Sequence, residues 1–267
     1  PMTRLDKTFA DLKARDEKAL IGFISAGDPN YDTSLAIATA MCQSGLDVLE
    51  LGVPFSDPTS DGPAIQLGSQ RAIASGMTLD KTLTMIRTLR ERVDTPIIVF
   101  TYYNPLFAYG PARFIADATA AGADGVLLVD LPPDEREEIA PFCDSNLSVI
   151  RLVAPTTPED RTAQLVADAS GFVYLVSRTG VTGKAGKLDV DAIAAHAAEV
   201  RRHTDVPICL GFGISTPEHI ASLRDCVDGL VVGSAFVRVI EAAPDAADLP
   251  EQLAAFAASL KAATLPR

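Results

Sequence analysis

The sequence predicts an α/β protein of the closed (β/α)8 kind, and three observations carry that prediction. Eight short apolar runs, rich in β-branched residues, alternate with segments of helical spacing, the pattern of βα units around a parallel sheet. The joints repeat. Gly45-Leu-Asp-Val-Leu-Glu-Leu51, Gly122-Ala-Asp-Gly-Val-Leu-Leu128 and Cys226-Val-Asp-Gly-Leu-Val-Val232 each read as helix end, Asp turn and strand, and Asp94-Thr-Pro-Ile97 returns as Asp205-Val-Pro-Ile208. Finally, the units fill 267 residues with no linker-like stretch, which suits a single domain over 1–267 built as a TIM barrel better than a doubly wound sheet.

Taken in order, the polar stretch Pro1 to Ala10 has helical character and is expected as an extra helix ahead of the barrel. It lacks the basic start and apolar centre of a secretory signal, so a cytoplasmic protein is expected. Strands are expected over Leu20 to Ala26, Val48 to Leu51, Ile97 to Thr101, Gly125 to Val129, Ser148 to Val153, Phe172 to Val176, Ile208 to Gly211 and Gly229 to Gly233. Between them, Tyr31 to Ser44, Leu79 to Val93, Gly110 to Ala121, Pro133 to Asp144, Pro158 to Ala169, Asp189 to His203 and Pro217 to Asp225 show helical spacing, several opening with Pro or an acidic residue. Two strand-to-helix connections are long, Gly52 to about Met77 after the second strand and Ser177 to Lys187 after the sixth. In this architecture such loops lie on the catalytic face.

Composition narrows the function. Although 48% of residues are apolar, the longest runs are strand-sized and broken by Gly, Asp or Pro, short of the roughly 20 residues that span a bilayer. No membrane partner is expected. A net charge of −12 argues against nucleic acid, whose phosphates are met by clustered Lys and Arg. A small phosphorylated ligand stays open, because beyond about 8 Å salt screens the global field and local donors decide. The four cysteines, Cys42, Cys143, Cys209 and Cys226, form no C-x-x-C pair and read as reduced packing residues. His196, His203 and His219 fall on expected helices without carboxylates at ligand spacing, so no metal site is expected.

Glu50 is the residue that points to chemistry. It ends an apolar run, Asp47-Val-Leu-Glu-Leu-Gly52, and burying an ionisable group costs several kcal/mol unless it is paired or used. Alternation puts Glu50 on the face of Val48, and if Val48 points into the barrel, Glu50 points to its mouth. Asp61 follows through Val53 to Pro63, a stretch unsuited to regular structure. Each has a plainer reading: Glu50 as a cap or ion-pair partner, and Asp61, like Asp57, as a turn former.

Three glycine-bearing strand ends suggest an anion site: Gly180-Val-Thr-Gly183, Gly211-Phe-Gly213 and Gly233-Ser234. Glycine lets backbone N–H groups approach an anion, and a helix starting near Ser234 adds its positive end. Phe23, Phe100, Tyr102, Leu127, Tyr174 and Phe212, at strand ends, suit a flat apolar group. No third glycine follows Gly213 at dinucleotide spacing and no Gly-rich Lys-Ser/Thr loop occurs.

The run Leu51-Gly-Val-Pro-Phe-Ser-Asp-Pro-Thr-Ser-Asp-Gly-Pro63 resembles the most distinctive motif of the tryptophan synthase alpha subunit family. Phe23-Ile-Ser-Ala-Gly-Asp-Pro29, Tyr102-Tyr-Asn-Pro105, Asp130-Leu-Pro-Pro133, Ser177-Arg-Thr-Gly-Val-Thr-Gly183, Gly211-Phe-Gly-Ile-Ser215 and Gly233-Ser-Ala235 extend the resemblance over nearly the whole chain. The departures are small: Thr59-Ser60 replaces an apolar-Ala pair, Ser25 a Thr, and Phe100 and Val129 are bulkier than usual.

The resemblance implies reversible retro-aldol cleavage of indole-3-glycerol phosphate to indole and glyceraldehyde 3-phosphate, with no cofactor on this chain. It implies Glu50 as the acid and base, Asp61 as acceptor of the indole N–H, and Thr182 as the residue that holds Asp61 and closes a lid. It implies Gly183, Gly213, Gly233 and Ser234 at the phosphate. It further implies a beta subunit carrying pyridoxal phosphate, in an alpha2beta2 assembly, with Pro54, Asp57, Pro58, Asn104, Asp130 and Pro132 facing it. Three alternatives stay open: a stand-alone lyase releasing indole, another phosphate-barrel enzyme such as a sugar-phosphate epimerase, and a catalytically idle subunit that binds ligand and activates a partner.

Overall fold

A computed structural model describes residues 2–132, 135–177, 189–211 and 213–266. Its strands are β1 (Ala19–Ser25), β2 (Val48–Gly52), β3 (Ile97–Thr101), β4 (Gly125–Leu128), β5 (Ser148–Val153), β6 (Val173–Val176), β7 (Ile208–Gly211) and β8 (Gly229–Val232). All pair in parallel, each with its neighbours in sequence, and β8 returns to β1 to close the barrel. The expected (β/α)8 architecture is the observed one, with strand ends moved by a residue at most.

Alternation along the strands sorts side chains into two cores. Ile21, Val48, Ile98, Leu127, Ile150, Tyr174, Cys209 and Val231 fill the barrel interior. Their neighbours in sequence, among them Leu20, Leu49, Leu51, Ile97, Val99, Val149 and Leu230, pack outward under the helices.

The interior is closed at the N-terminal end of the strands by α1 (Arg4–Ala14). Its Leu5, Phe9 and Leu12 join the interior cluster, and the Phe9 ring lies 6.0 Å from that of Phe172. A capping box fixes the start of this helix: Asp6 N–H donates to Thr3 Oγ1 at 3.1 Å and Thr3 N–H to Asp6 Oδ2 at 3.0 Å.

The repeated Asp turn has a structural reason. Asp47, Asp124 and Asp228 each precede an even-numbered strand and accept from the N–H of Leu20, Ile97 and Ile208 on the strand before, at 2.8, 2.8 and 2.9 Å. Each carboxylate thus staples two strands at the closed end. Cations hold the staples: Lys261 reaches Asp47 at 2.8 Å, Arg90 reaches Asp124 at 2.9 Å with Arg4 on the other oxygen, and Arg201 reaches Asp228 at 2.6 Å.

The expected helices are present as α2 (Tyr31–Gln43), α4 (Leu79–Arg90), α6 (Pro111–Ala121), α7 (Arg136–Cys143), α8 (Glu159–Ala167), α9 (Val190–Arg201), α10 (Pro217–Leu223) and α11 (Ser234–Ala242). Three others correct the sequence reading. The connection after β2 is not all loop, because α3 (Pro63–Ala74) starts inside it, with Gly62 as N-cap and Pro63 in the first turn. Its buried face is Ala64, Gly68, Ser69 and Ala72, too weakly apolar to stand out by spacing. The short α5 (Tyr103–Tyr109) follows β3, and α12 (Leu249–Ala262) packs on α2 through a face that includes Leu249, Leu253, Ala257 and Leu260.

Two smaller readings also change. His203 lies beyond the end of α9. Cys42 and Cys209 are buried as packing residues, but Cys143 is exposed and Cys226 only half-buried.

Candidate active site

Since Val48 packs inside the barrel, Glu50, two residues on, faces the same interior at the open end. It is 1% exposed, and its Oε1 has no hydrogen-bond partner among the described residues. Among the described residues no cation offsets this burial, which pushes the carboxyl up to about 8.

Asp61 reaches the same end from the loop between β2 and α3. That loop is tied down on several sides: Phe55 N–H donates to Ser69 Oγ at 2.9 Å, Gln66 Nε2 to the Asp61 carbonyl at 2.8 Å, and Ser60 N–H to the Tyr102 hydroxyl at 3.0 Å. Tyr102, whose ring lies 5.2 Å from that of Phe55, also donates to the Asp61 carboxylate. Burial pushes Asp61 up to about 6 against the downward pull of that bond. The loop residues Thr59 and Ser60 are exposed.

Tyr174 joins the two acids. It is buried in the barrel interior on β6, and its phenol is raised well above its ordinary value, first by burial and then by the charges of both Glu50 and Asp61. Room for it comes from β7, where a Cβ on Gly211 would sit 2.0 Å from the Tyr174 hydroxyl oxygen. Only glycine fits there.

The apolar walls are in place. Phe23 and Phe100 meet edge to face with ring centres 5.0 Å apart, and Leu127, fully buried, floors the interior beside Phe100, its register partner. Gly233, across from Phe23 Cβ and Ile65 Cδ1, is the N-cap of α11 and offers no side-chain cap, and half-buried Ser234 begins the helix. That leaves first-turn N–H groups and the positive helix end available to an anion. Gly213, exposed at φ 76, turns the chain after β7. Thr182, Gly183 and Phe212 lie outside the described residues.

Two features escape sequence reasoning. Ile65 of α3 contributes to the wall by Gly233. Arg71 of the same helix clamps the fully buried Asp28, Nε to Oδ1 at 2.8 Å and Nη2 to Oδ2 at 2.9 Å, fixing α3 against the loop after β1. The partners are 43 positions apart, and no local pattern links them.

Pro54, Asp57 and Pro58 follow β2, Asn104 lies in the first turn of α5 after β3, and Asp130 and Pro132 follow β4, so all six lie on three successive connections at the open rim. Asp57, Asn104, Asp130 and Pro132 are exposed and the other two half-buried. Phe107 of α5, 65% exposed, adds an apolar side chain to the same rim, and Tyr103 N–H donates to Asp130 Oδ1 at 2.7 Å, joining the third and fourth loops. Among the described residues no group of three or more His, Cys, Asp or Glu is gathered at metal-ligand distance, and no helix is long and apolar enough to cross a membrane.

The chain as a whole is similar to known proteins. Residues 9–265 match the family model described as tryptophan synthase alpha chain. The tryptophan synthase alpha chain of Desulfatibacillum aliphaticivorans is 53% identical over 264 residues, covering 98% of this chain and 99% of its own. The crystal structure of tryptophan synthase subunit alpha from Legionella pneumophila superposes with a TM-score of 0.91 at 36% identity, covering 99% of each chain. A chain from the crystal structure of tryptophan synthase from M. tuberculosis gives 0.88 at 32% identity, covering 98% of each.

Proposed function

Because the chain belongs to the tryptophan synthase alpha chain family, whose reaction in tryptophan biosynthesis is cleavage of indole-3-glycerol phosphate to indole and glyceraldehyde 3-phosphate, we propose that Glu50 and Asp61 divide that chemistry between them. The observation that carries this reading is the contrast in their acidities. Near pH 7 a carboxyl at about 8 is mostly protonated, whereas one at about 6 is mostly ionised.

Protonated Glu50 delivers its proton to indole C3 and makes the ring cationic. Ionised Asp61 accepts the indole N–H and stabilises that charge. Glu50, now a carboxylate, removes the proton from the side-chain hydroxyl attached to the carbon bonded to C3. The carbon–carbon bond then breaks, its electron pair neutralises the ring, and an aldehyde and a reprotonated Glu50 remain. One carboxyl serves as acid and then base, each role worth about 10²- to 10⁴-fold.

In the proposed pose the indole lies among Phe23, Phe100, Leu127 and Tyr174, with Tyr102 orienting Asp61. Gly213, Gly233 and Ser234 take the phosphate at the start of α11. Thr182, Gly183 and Phe212 are assigned to the lid and phosphate ends from the motif alone. The chain works as one barrel domain over 1–267, in the cytoplasm, and needs no cofactor of its own.

We further propose that it pairs with a beta subunit carrying pyridoxal phosphate, as alpha2beta2, through Pro54, Asp57, Pro58, Asn104, Asp130 and Pro132. The exposure of Asp57, Asn104, Asp130 and Phe107 along one rim supports this surface. Incubating the purified chain with indole-3-glycerol phosphate and following indole, with and without a beta subunit, tests both parts. Release that the beta subunit accelerates is expected. No release in either case overturns the assignment of the acids, and fast release indifferent to the beta subunit favours a stand-alone lyase.

A further inference from the structure

At the rim of the barrel, between the ends of β4 and β5 and helix α8, lies a second cleft of about 480 Å³, within the size range of small-molecule sites. It contains neither Glu50 nor Asp61. Leu128, Leu131, Pro132 and Leu165 give it apolar walls, and Arg151 lines it from β5. Ile150 and Leu152 pack with the barrel interior, so alternation turns Arg151 outward, beneath α8.

Arg151 is 4% exposed, and its Nε has no hydrogen-bond partner among the described residues. A buried guanidinium without full partners carries a desolvation penalty. Asp168 and Cys143 are close enough to raise its pKa, but burial outweighs them and lowers it. It remains a cation at neutral pH nonetheless.

We propose that this cleft binds a small organic monocarboxylate with an apolar body, its carboxylate held by the Arg151 guanidinium and its body against Leu128, Leu131 and Leu165. A planar fork of N–H donors matches a carboxylate, whose charge would offset the burial of the cation. Two other charges refine the ligand class. Arg161 also lines the cleft and has a partner of its own, while exposed Asp130, at the lip, disfavours a second negative charge. The apolar walls give little to a bare inorganic anion.

The test is a titration of the full chain, with leucine methyl groups observed by NMR, using hexanoate, its neutral isostere hexanamide, and inorganic phosphate. Hexanoate is expected to shift the methyls of Leu128, Leu131 and Leu165, with hexanamide and phosphate at least about ten-fold weaker at those methyls. Arg151→Met is expected to weaken hexanoate on the order of ten- to a hundred-fold, the value of a charge-assisted bond. Equal shifts from hexanamide, equal shifts from phosphate, or no shift at about 10 mM hexanoate each overturn the proposal. So does a response confined to the Glu50 site. The comparison of ligands on the unaltered chain decides the matter even if Arg151→Met fails to fold.

Discussion

The two ends of the barrel handle their carboxylates in opposite ways. At the N-terminal end Asp47, Asp124 and Asp228 are each held by a strand N–H and a cation. At the C-terminal end Glu50 is more deeply buried, and its Oε1 has no partner among the described residues. The same functional group is structural where its hydrogen bonds are satisfied and, on the proposed assignment, reactive where they are withheld. At Asp47 the strand N–H and the Lys261 ammonium oppose the upward push of burial without overcoming it, whereas at Glu50 burial acts without such opposition among the described residues and leaves a proton that can be delivered.

The sharpest way to break this contrast is Glu50→Gln. Loss of both proton-transfer roles is expected to lower indole release by about 10³-fold or more, measured at saturating indole-3-glycerol phosphate. Stability should move the other way. Since the folded value of Glu50, about 8, exceeds its ordinary 4.5, the folded protein binds more protons, and this group's contribution falls as pH rises from 4.5 through 8. Glu50→Gln is therefore expected to be more stable than the parent at pH 9, by on the order of 3 kcal/mol in urea unfolding. Undiminished turnover, or a variant less stable at that pH, would contradict the reactive role.

Asp61→Ala comes next, with turnover expected to fall about 10²- to 10³-fold as the counter-charge to the indole ring is lost. Because burial raises Asp61 to about 6, above its ordinary 3.8, its contribution to stability falls as pH rises through that window, and the variant is expected to be at least as stable as the parent above pH 6 in urea unfolding. Asp124→Ala should do the reverse. Removing the acceptor of the Ile97 N–H and the partner of Arg90 and Arg4 is expected to cost roughly 2–4 kcal/mol of stability while turnover at 20 °C stays within about two-fold. The smallest effect is the pH profile: kcat/KM should fall below about 6 as Asp61 is protonated and above about 8 as free Glu50 ionises. A flat profile across that window would separate the two acids from the rate.

Much of this was legible in the sequence, and what was not has physical reasons. Strands were readable because both faces of a closed parallel barrel are buried, so runs such as Ile97–Thr101 and Ile208–Gly211 are apolar almost throughout. Glu50 stood out against such a run. Helix α3 did not, because its buried stripe of Ala64, Gly68, Ser69 and Ala72 is chosen for close approach to α11 and β1. The Asp28–Arg71 clamp, the contribution of Ile65 and the cleft under Arg151 arise from contacts distant in sequence. The repeated Asp turn was visible as a pattern, but its meaning as a cross-strand staple needed coordinates.

That staple has a consequence for catalysis. Asp47 precedes Glu50 by three positions on one rigid segment, and its grip on the Leu20 amide sets how far β2 is drawn along β1, opposing Glu50 to Phe23. A slip of one residue would swing Glu50 out of the barrel and beneath the helices. The acid at the foot of the segment thus acts as a ruler for the acid at its head, and the proposed reaction would depend on a measurement made at the far end of the barrel.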